Sequence, residues 1–261
     1  MNALHGCIHK YFEDEDQTRH YPLNSALVQF IAEQGWIIED KVAEGSVADV
    51  FSCHSSDPNV QLNLTPEERM HGTDKSYAVL ILFSNVALDD DSDYNIWEKL
   101  LVAKSCPTIF PLIYDCLNSD LPYSNDPEYI VNTPDATRRS IQIIERAHGT
   151  LADVIRLFKR NGNIDLIDRE EWLAGIKVKI IEFLTVLREK NIYYTDLKLE
   201  NVGIFDYSTV NIDGNANIED GNRLKLLDIE GIKLQYQGPY DIEVMAEWLI
   251  RDAKELIDED E

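Results

Sequence analysis

The amino-acid sequence predicts an α+β protein, with strands concentrated in its first part and helices in its second. Short apolar runs bounded by polar or turn residues predict a strand pair over 36–53 and further strands over 76–83, 109–114 and 141–145. The stretch 170–190 predicts a long helix, because its large apolar residues recur at helical spacing. That stripe consists of Trp172, Ile176, Ile180, Phe183 and Leu187. A chain of 261 residues is long enough for one large core or for two.

The formal net charge of -24 is the strongest feature of the composition. Such a surface would repel nucleic acids and anionic membranes, so neither is expected as a main partner. Acidic clusters lie at 13–16, 89–93 and 258–261. Two interpretations stay open: the clusters are solvated surface and tails, or they form a docking surface for a basic protein partner.

The chain shows no membrane or secretion signal at the sequence level. None of its apolar runs approaches the roughly 18 residues that a membrane span needs. The acids at 13–16 do not fit the basic-then-apolar order of a signal peptide. The four cysteines lack CxxC spacing, which favours reduced thiols and a cytoplasmic location, in the cell that makes the protein or in one that receives it. These cysteines are Cys7, Cys53, Cys106 and Cys116.

One polar stretch, 193–201, carries the residue types that phosphoryl transfer requires. It contains Asp196, a cation two residues later at Lys198, and an amide five residues later at Asn201. A second carboxylate, Asp228, ends an apolar run further along the chain. Phosphoryl transfer needs a base for a hydroxyl, a cation for the moving group and oxygen ligands for Mg²⁺. A polar turn after a helix is the simpler alternative for the stretch taken by itself.

The same residues resemble the catalytic loop of protein kinases, H-R-D-L-K-x-x-N, and the metal-binding Asp of the D-F-G motif. The resemblance implies that Asp196 orients or deprotonates a substrate hydroxyl and that Lys198 holds the γ-phosphate of ATP. It implies that Asn201 and Asp228 bind Mg²⁺. A Lys two residues after the Asp is typical of Ser/Thr protein kinases.

The chain departs from the kinase pattern next to these residues. Tyr194 and Thr195 replace the His and Arg, and Ile229 and Glu230 replace the Phe and Gly. The Arg of the family receives a phosphorylated activation loop. Its replacement by Thr agrees with the lack of room for a long activation loop before Asp241.

The stretch 42–51 resembles the kinase glycine-rich loop, G-x-G-x-x-G-x-V. Only the middle glycine, Gly45, is present, while Ala43 and Ala48 occupy the other two positions. Glycines in such a loop let backbone amides approach phosphates. The resemblance implies that Gly45 and Ser46 contact the nucleotide, and an ordinary hairpin is the alternative.

The third predicted strand lacks the cation that the resemblance requires. Kinases read V-A-I-K there, and the alignment places Leu80 at the position of the Lys. Lys75 lies before the strand and cannot reach the site in this register. Glu98, on a predicted helix that ends before Pro107, is the candidate for the Glu that pairs with the Lys, or else a surface residue. Loss of one such charge costs roughly 10²- to 10³-fold in rate.

Residues 145–149 resemble the hinge between the two kinase lobes, which implies that Glu145 and Ala147 contact adenine through their backbone. The resemblance therefore implies a two-lobed kinase-like fold. Its parts are a flexible arm over 1–24, a β-rich N-lobe over 25–146 and a short, mainly helical C-lobe over 147–261.

The segment after Asp228 is short and contains no A-P-E motif. It is similar to compact effector kinases of enteric pathogens and to choline and aminoglycoside kinases. Asp241 is interpreted either as the residue that braces the catalytic-loop backbone in kinases or as the N-cap of a helix.

Three functions remain open from the sequence. The first is an atypical or degenerate kinase that transfers phosphoryl groups from Mg-ATP to Ser/Thr hydroxyls, weakly or in altered form because of Leu80. The second is a catalytically inactive pseudokinase that acts as a protein-binding or regulatory module. The third is a small-molecule kinase of the choline or aminoglycoside type.

Overall fold

The computed structural model describes residues 23–44, 48–56, 78–83, 96–124, 139–147, 149–160, 169–205 and 224–259. The chain divides into two compact units. The first comprises 1–90 and 112–146, and the second comprises 91–111 and 147–261. Each unit is mixed in secondary structure, so the predicted α+β class is confirmed.

The first unit contains a helix and a five-stranded antiparallel sheet with the strand order β1-β2-β3-β5-β4. The helix α1 spans Ser25–Glu33. The strands are β1 (Trp36–Glu44), β2 (Ala48–Ser55), β3 (Ala78–Phe83), β4 (Ile113–Ser119) and β5 (Arg139–Glu145). Asn24 caps α1 by accepting a hydrogen bond from the backbone of Ala26 at 2.9 Å, as a short polar side chain at a helix start commonly does.

The core of the first unit is apolar and includes residues of α1 and of all five strands. Leu27 and Ile31 of α1 are fully buried in it. Trp36 at the start of β1 stacks on Tyr114 of β4, with ring centroids 6.3 Å apart. Leu80 lies in the same core, opposite residues of β2 and β5 in the strand register. The central strand β3 therefore contributes side chains to a closed apolar interior.

The fourth strand differs from its prediction over 109–114. It begins at Ile113, whereas Ile109 and Phe110 lie in a turn that belongs to the second unit. Both backbone amides donate to the carbonyl of Cys106, three and four residues earlier. These bonds are typical of a turn that follows a helix and not of a strand. Both side chains are buried, so their apolar character reflects core packing and not strand structure.

The second unit is mainly helical, with three short strand pairings. Its helices are α2 (Ile96–Lys104), α3 (Leu151–Arg160), α4 (Arg169–Glu189) and α5 (Ile242–Asp258). Its strands are β6 (Gly149–Thr150), β7 (Tyr193–Tyr194), β8 (Val202–Ile204), β9 (Leu224–Leu226) and β10 (Ile232–Lys233). They form the sheet β6-β8-β9 and the separate ribbon β10-β7.

Helix α4 is the main scaffold of the second unit and confirms the helix predicted over 170–190. All five residues of the predicted stripe are buried. Its exposed side bonds to α5, through Lys177 to Glu247 at 3.2 Å and through Lys254 to Glu170 at 2.9 Å. Burial of one face holds the helix that leads into the stretch 193–201, and the exposed ion pairs add little to this. Of the helices in the described ranges, none is both long enough and apolar enough to cross a membrane.

Candidate functional site

The candidate site begins a few residues after the end of α4. The amide of Asn191 donates to the carbonyl of Arg188 at 2.9 Å, and Asn191 has a φ of 57°. Asn tolerates this left-handed conformation better than most residues, so it can reverse the chain directly after a helix. The strand β7 follows, and the loop 195–198 then leads into a 3₁₀ turn at Leu199–Asn201.

Three of the predicted site residues form one hydrogen-bonded cluster in this loop. The ammonium of Lys198 donates to Asp196 Oδ2 at 2.9 Å. The amide Nδ2 of Asn201 donates to the same oxygen at 2.7 Å and to the backbone carbonyl of Asp196 at 2.9 Å. Asn201 is 8% exposed, whereas the side chains of Asp196 and Lys198 are 45% and 50% exposed. A buried amide thus holds a carboxylate, which in turn accepts from a cation, and both charged groups reach solvent.

The short sheet brings Asp228 to the same place. Strands β8 and β9 pair with Val202 opposite Leu226, and the amide of Leu227 donates to the carbonyl of Asn201 at 2.9 Å. Asp228 follows immediately. Its charge is near enough to raise the pKa of Lys198, after the larger effect of the hydrogen bond to Asp196. The structure therefore brings together the four residues predicted as catalytic or metal-binding.

Tyr194 lies beneath this cluster and was predicted only as a departure from the kinase pattern. Its side chain is fully buried. Burial raises the pKa of its hydroxyl well above the usual range, and the charges of Asp228 and Asp196 add to the increase. Contacts with the side chain of Asn201 and the backbone of Asp228 act in the opposite direction. These contacts fall short of normal hydrogen-bond geometry, so the hydroxyl has no true hydrogen-bond partner in the described ranges.

Gly231 is a second residue that sequence reasoning missed. Gly231 is the last residue of the 3₁₀ turn Ile229–Gly231. Its backbone carbonyl accepts a hydrogen bond from the backbone amide of Thr195 at 2.9 Å. A Cβ at this position would lie 3.0 Å from Tyr194 Cε2 and 3.2 Å from Asp196 Cβ. Both distances are tighter than most Cβ contacts, so a larger residue here would require the buried ring of Tyr194 or the Cβ of Asp196 to move by a few tenths of an ångström. The glycine three residues after Asp228 was the available signal in the sequence.

Asp241 is the N-cap of α5, and its interpretation as the brace of the loop is wrong. Its exposed carboxylate accepts from the backbone amide of Val244 at 3.2 Å. The hydroxyl of the preceding residue, Tyr240, accepts a hydrogen bond from the backbone amide of Tyr194 at 3.2 Å instead. A short acidic side chain at a helix start satisfies the local amides, which keeps it away from the loop.

The residues predicted to bind the nucleotide do not form one bonded cluster in the described part of the chain. Gly45 and Ser46 lie outside the described residues. Glu145 ends β5 in the first unit, where its carboxylate accepts from the backbone of Leu112 at 3.1 Å. Ala147 is half-buried and begins the longer segment of the second unit. Glu98 is exposed on α2, and its role in nucleotide binding stays a prediction.

Leu80 lies on β3, where the alignment placed it, and is 0% exposed. It is opposite Phe51 on β2 and Ile143 on β5, and both of these are also buried. This position therefore holds an apolar core side chain. Lys75 lies outside the described residues.

The candidate metal ligands, Asp228 and Asn201, are too few to bind a divalent cation such as Mg²⁺ by themselves. Further oxygen ligands would have to come from a substrate. In the described part of the chain, no three His, Cys, Asp or Glu side chains group closely enough to hold a metal by themselves. Mg²⁺ is commonly bound by one or two carboxylates and completed by water and phosphate oxygens. Because Nδ2 of Asn201 is bonded to Asp196, its Oδ1 remains as a possible metal ligand in addition to the carboxylate of Asp228. This set is compatible with Mg²⁺ bound to a nucleotide.

Compared with known proteins, the chain matches no family model and no curated protein.

The pKa of Lys198 supplies a testable property of the cluster. The hydrogen bond to Asp196 raises this pKa above the usual value of a lysine. The contribution of this ion pair to the free energy of unfolding is therefore present at neutral pH. It is lost only as the pH rises through the raised pKa of Lys198. Its contribution to stability is small, since both side chains are about half exposed. We expect Asp196→Asn to shift the Lys198 pKa down, as followed by NMR of its ε-methylene group. An unchanged pKa would contradict the pairing.

Proposed function

We propose that this chain is an atypical protein-kinase-like phosphotransferase that moves a phosphoryl group from Mg-ATP to a Ser/Thr hydroxyl. The single observation that carries the proposal is the bonded cluster of Asp196, Lys198 and Asn201, with Asp228 beside it. A polar surface turn would not require an amide that is 8% exposed and bonded twice to one aspartate.

Asp196 is proposed as the group that accepts the proton of the attacking hydroxyl. Its Oδ2 accepts from both Lys198 and Asn201, which fixes the orientation of the carboxylate. Its Oδ1 makes no hydrogen bond to the residues that the structure describes, and the side chain is 45% exposed. An oriented carboxylate with one accessible oxygen can receive a substrate hydroxyl within hydrogen-bond distance.

Lys198 is proposed to hold the transferring phosphoryl group. It is half exposed and protonated at neutral pH, and the hydrogen bond to Asp196 raises its pKa further. Asp228 and the Oδ1 of Asn201 are the proposed metal ligands. Bound Mg²⁺ would neutralise phosphate charge in the transition state. The side chains of this cluster would orient the hydroxyl and the phosphate and need little rearrangement to do so.

The kinase-like two-lobed fold is part of the proposal. The antiparallel sheet, a helix between β3 and β4, and a long helix before the loop agree with it. In this interpretation, 25–146 forms the N-lobe and 147–261 the C-lobe, although 91–111 belongs to the second compact unit. The nucleotide-binding roles of Gly45, Ser46, Glu98, Glu145 and Ala147 stay predictions.

A binding-only pseudokinase is the second candidate, and the position of Leu80 favours it. A fully buried apolar side chain supplies no cation for the phosphates of ATP. The net charge of -24 would then serve a basic protein partner. The two candidates differ in whether the Asp196 cluster performs chemistry.

Phosphate transfer tests the proposed function directly. The full chain, [γ-³²P]ATP and Mg²⁺ are incubated with a basic protein acceptor, and the same reaction is run with Asp228→Asn. We expect slow transfer by the wild-type chain that the variant and metal chelation both abolish. Binding of Mg-ATP is measured in parallel by calorimetry. Binding without transfer would favour the pseudokinase, and absence of both at millimolar ATP would contradict the proposal.

A further inference from the structure

The two residues immediately before Asp196 are both held by the segment that follows Asp228. The amide of Thr195 donates to the carbonyl of Gly231 at 2.9 Å. The amide of Tyr194 donates to the side-chain hydroxyl of Tyr240 at 3.2 Å. The second bond differs in kind, because it depends on one side-chain oxygen that a single substitution can remove.

Tyr240 is itself fixed by its surroundings. Its ring packs edge-to-face on Tyr193, with centroids 5.0 Å apart, and lies 6.1 Å from the ring of Tyr236. It directly precedes Asp241, the N-cap of α5. Its hydroxyl is neutral at physiological pH, as in an ordinary tyrosine, and burial raises its pKa further. Ring packing and the helix start thus hold the oxygen at one place.

Fixing Tyr194 also fixes Asp196. The two residues are separated by Thr195 alone, and the ring of Tyr194 and the Cβ of Asp196 both border the position that a Cβ at Gly231 would take. A change in the backbone at Tyr194 would therefore shift the carboxylate relative to Lys198 and Asn201. Displacements of about 1 Å in a catalytic group can lower rates by about 10²-fold.

We propose that Tyr240 is a positioning residue whose hydroxyl holds the loop of Asp196 in its productive geometry. Its catalytic consequence depends on the proposed phosphoryl transfer, whereas its effect on the loop does not. The bracing oxygen comes from a phenol, and the neighbouring carboxylate of Asp241 serves only as the helix cap. Tyr240 makes no contact with the reacting groups in this role and acts through the backbone of Tyr194.

A pair of matched variants isolates this hydroxyl. Tyr240→Phe removes the oxygen that accepts from Tyr194 and keeps the ring. Tyr236→Phe removes a hydroxyl from the same aromatic cluster, but one that donates to the carbonyl of Pro239 at 3.4 Å, outside the loop. Amide hydrogen exchange at Tyr194, kcat and KM for Mg-ATP are measured for the full chain and both variants.

We expect exchange at the Tyr194 amide to become about tenfold faster in Tyr240→Phe and to stay unchanged in Tyr236→Phe. We expect kcat to fall roughly 10- to 100-fold in Tyr240→Phe alone, with KM for Mg-ATP unchanged. Equal exchange in the two variants would overturn the brace. Faster exchange with an unchanged kcat would overturn the positioning role. A wild-type chain without transfer activity would count against the proposed function, and the exchange rate would then decide the brace alone.

Discussion

Replacing Asp196 with Asn is expected to lower kcat for phosphoryl transfer by about 10²- to 10⁴-fold, the range typical for loss of a general base. Asn is similar in shape and keeps an oxygen that can accept from Lys198 or Asn201, so the loop should remain folded. It cannot take the proton of a hydroxyl. Steady-state kinetics should therefore show a loss in kcat with little change in the Kd for Mg-ATP.

Asp241→Asn is the matched control for this substitution. Asp241 is an exposed acid of the same unit, and Asn is an equally good N-cap for α5. We expect full activity and an unchanged Tm for this variant. If Asp196→Asn retained wild-type kcat, Asp196 would not be the base. Equal losses in both variants would indicate a nonspecific effect of charge.

Leu80→Lys is expected to reduce the free energy of unfolding by about 3 kcal/mol or more, without a gain in nucleotide affinity. If Leu80 occupied the position of the kinase Lys at a nucleotide site, the same change would instead supply the missing phosphate ligand and raise the affinity. Leu80 is fully buried between Phe51 and Ile143, so an ammonium group there would lose its hydration without a described partner. Denaturant unfolding followed by tryptophan fluorescence measures the effect.

Leu80→Met is the control, because it conserves volume and should cost less than about 1.5 kcal/mol. A Leu80→Lys variant with native stability and tighter binding of Mg-ATP would show that this side chain faces the nucleotide. That outcome would also remove the observation that favours a pseudokinase.

The spacing of apolar residues along the sequence predicted those helices and strands that bury one continuous row of side chains in a core. The helix α4 and the strands β1 to β3 belong to this group. The cluster of Asp196, Lys198 and Asn201 was also predictable, because all three residues lie within six positions of one loop. Short-range spacing alone sets their mutual distances.

Long-range packing explains what the sequence did not predict. Ile109 and Phe110 have strand-like apolar character but belong to a buried turn, since burial and not strand structure selects their side chains. Gly231 and Tyr240 matter through contacts with Tyr194 that span more than thirty residues. No local motif records which backbone amide a distant hydroxyl will bind.

The central claim is that Asp196 and Asp228 belong to one site for a metal-bound nucleotide. Mn²⁺ in place of Mg²⁺ tests it most directly, because a bound paramagnetic ion broadens NMR signals of nearby nuclei. With Mn²⁺ and ATP, we expect broadening of the amides of 196–201 and of Asp228 in the wild-type chain, and its loss in Asp228→Asn. Broadening confined to other segments, or equal in both proteins, would contradict the assignment of this loop as the site.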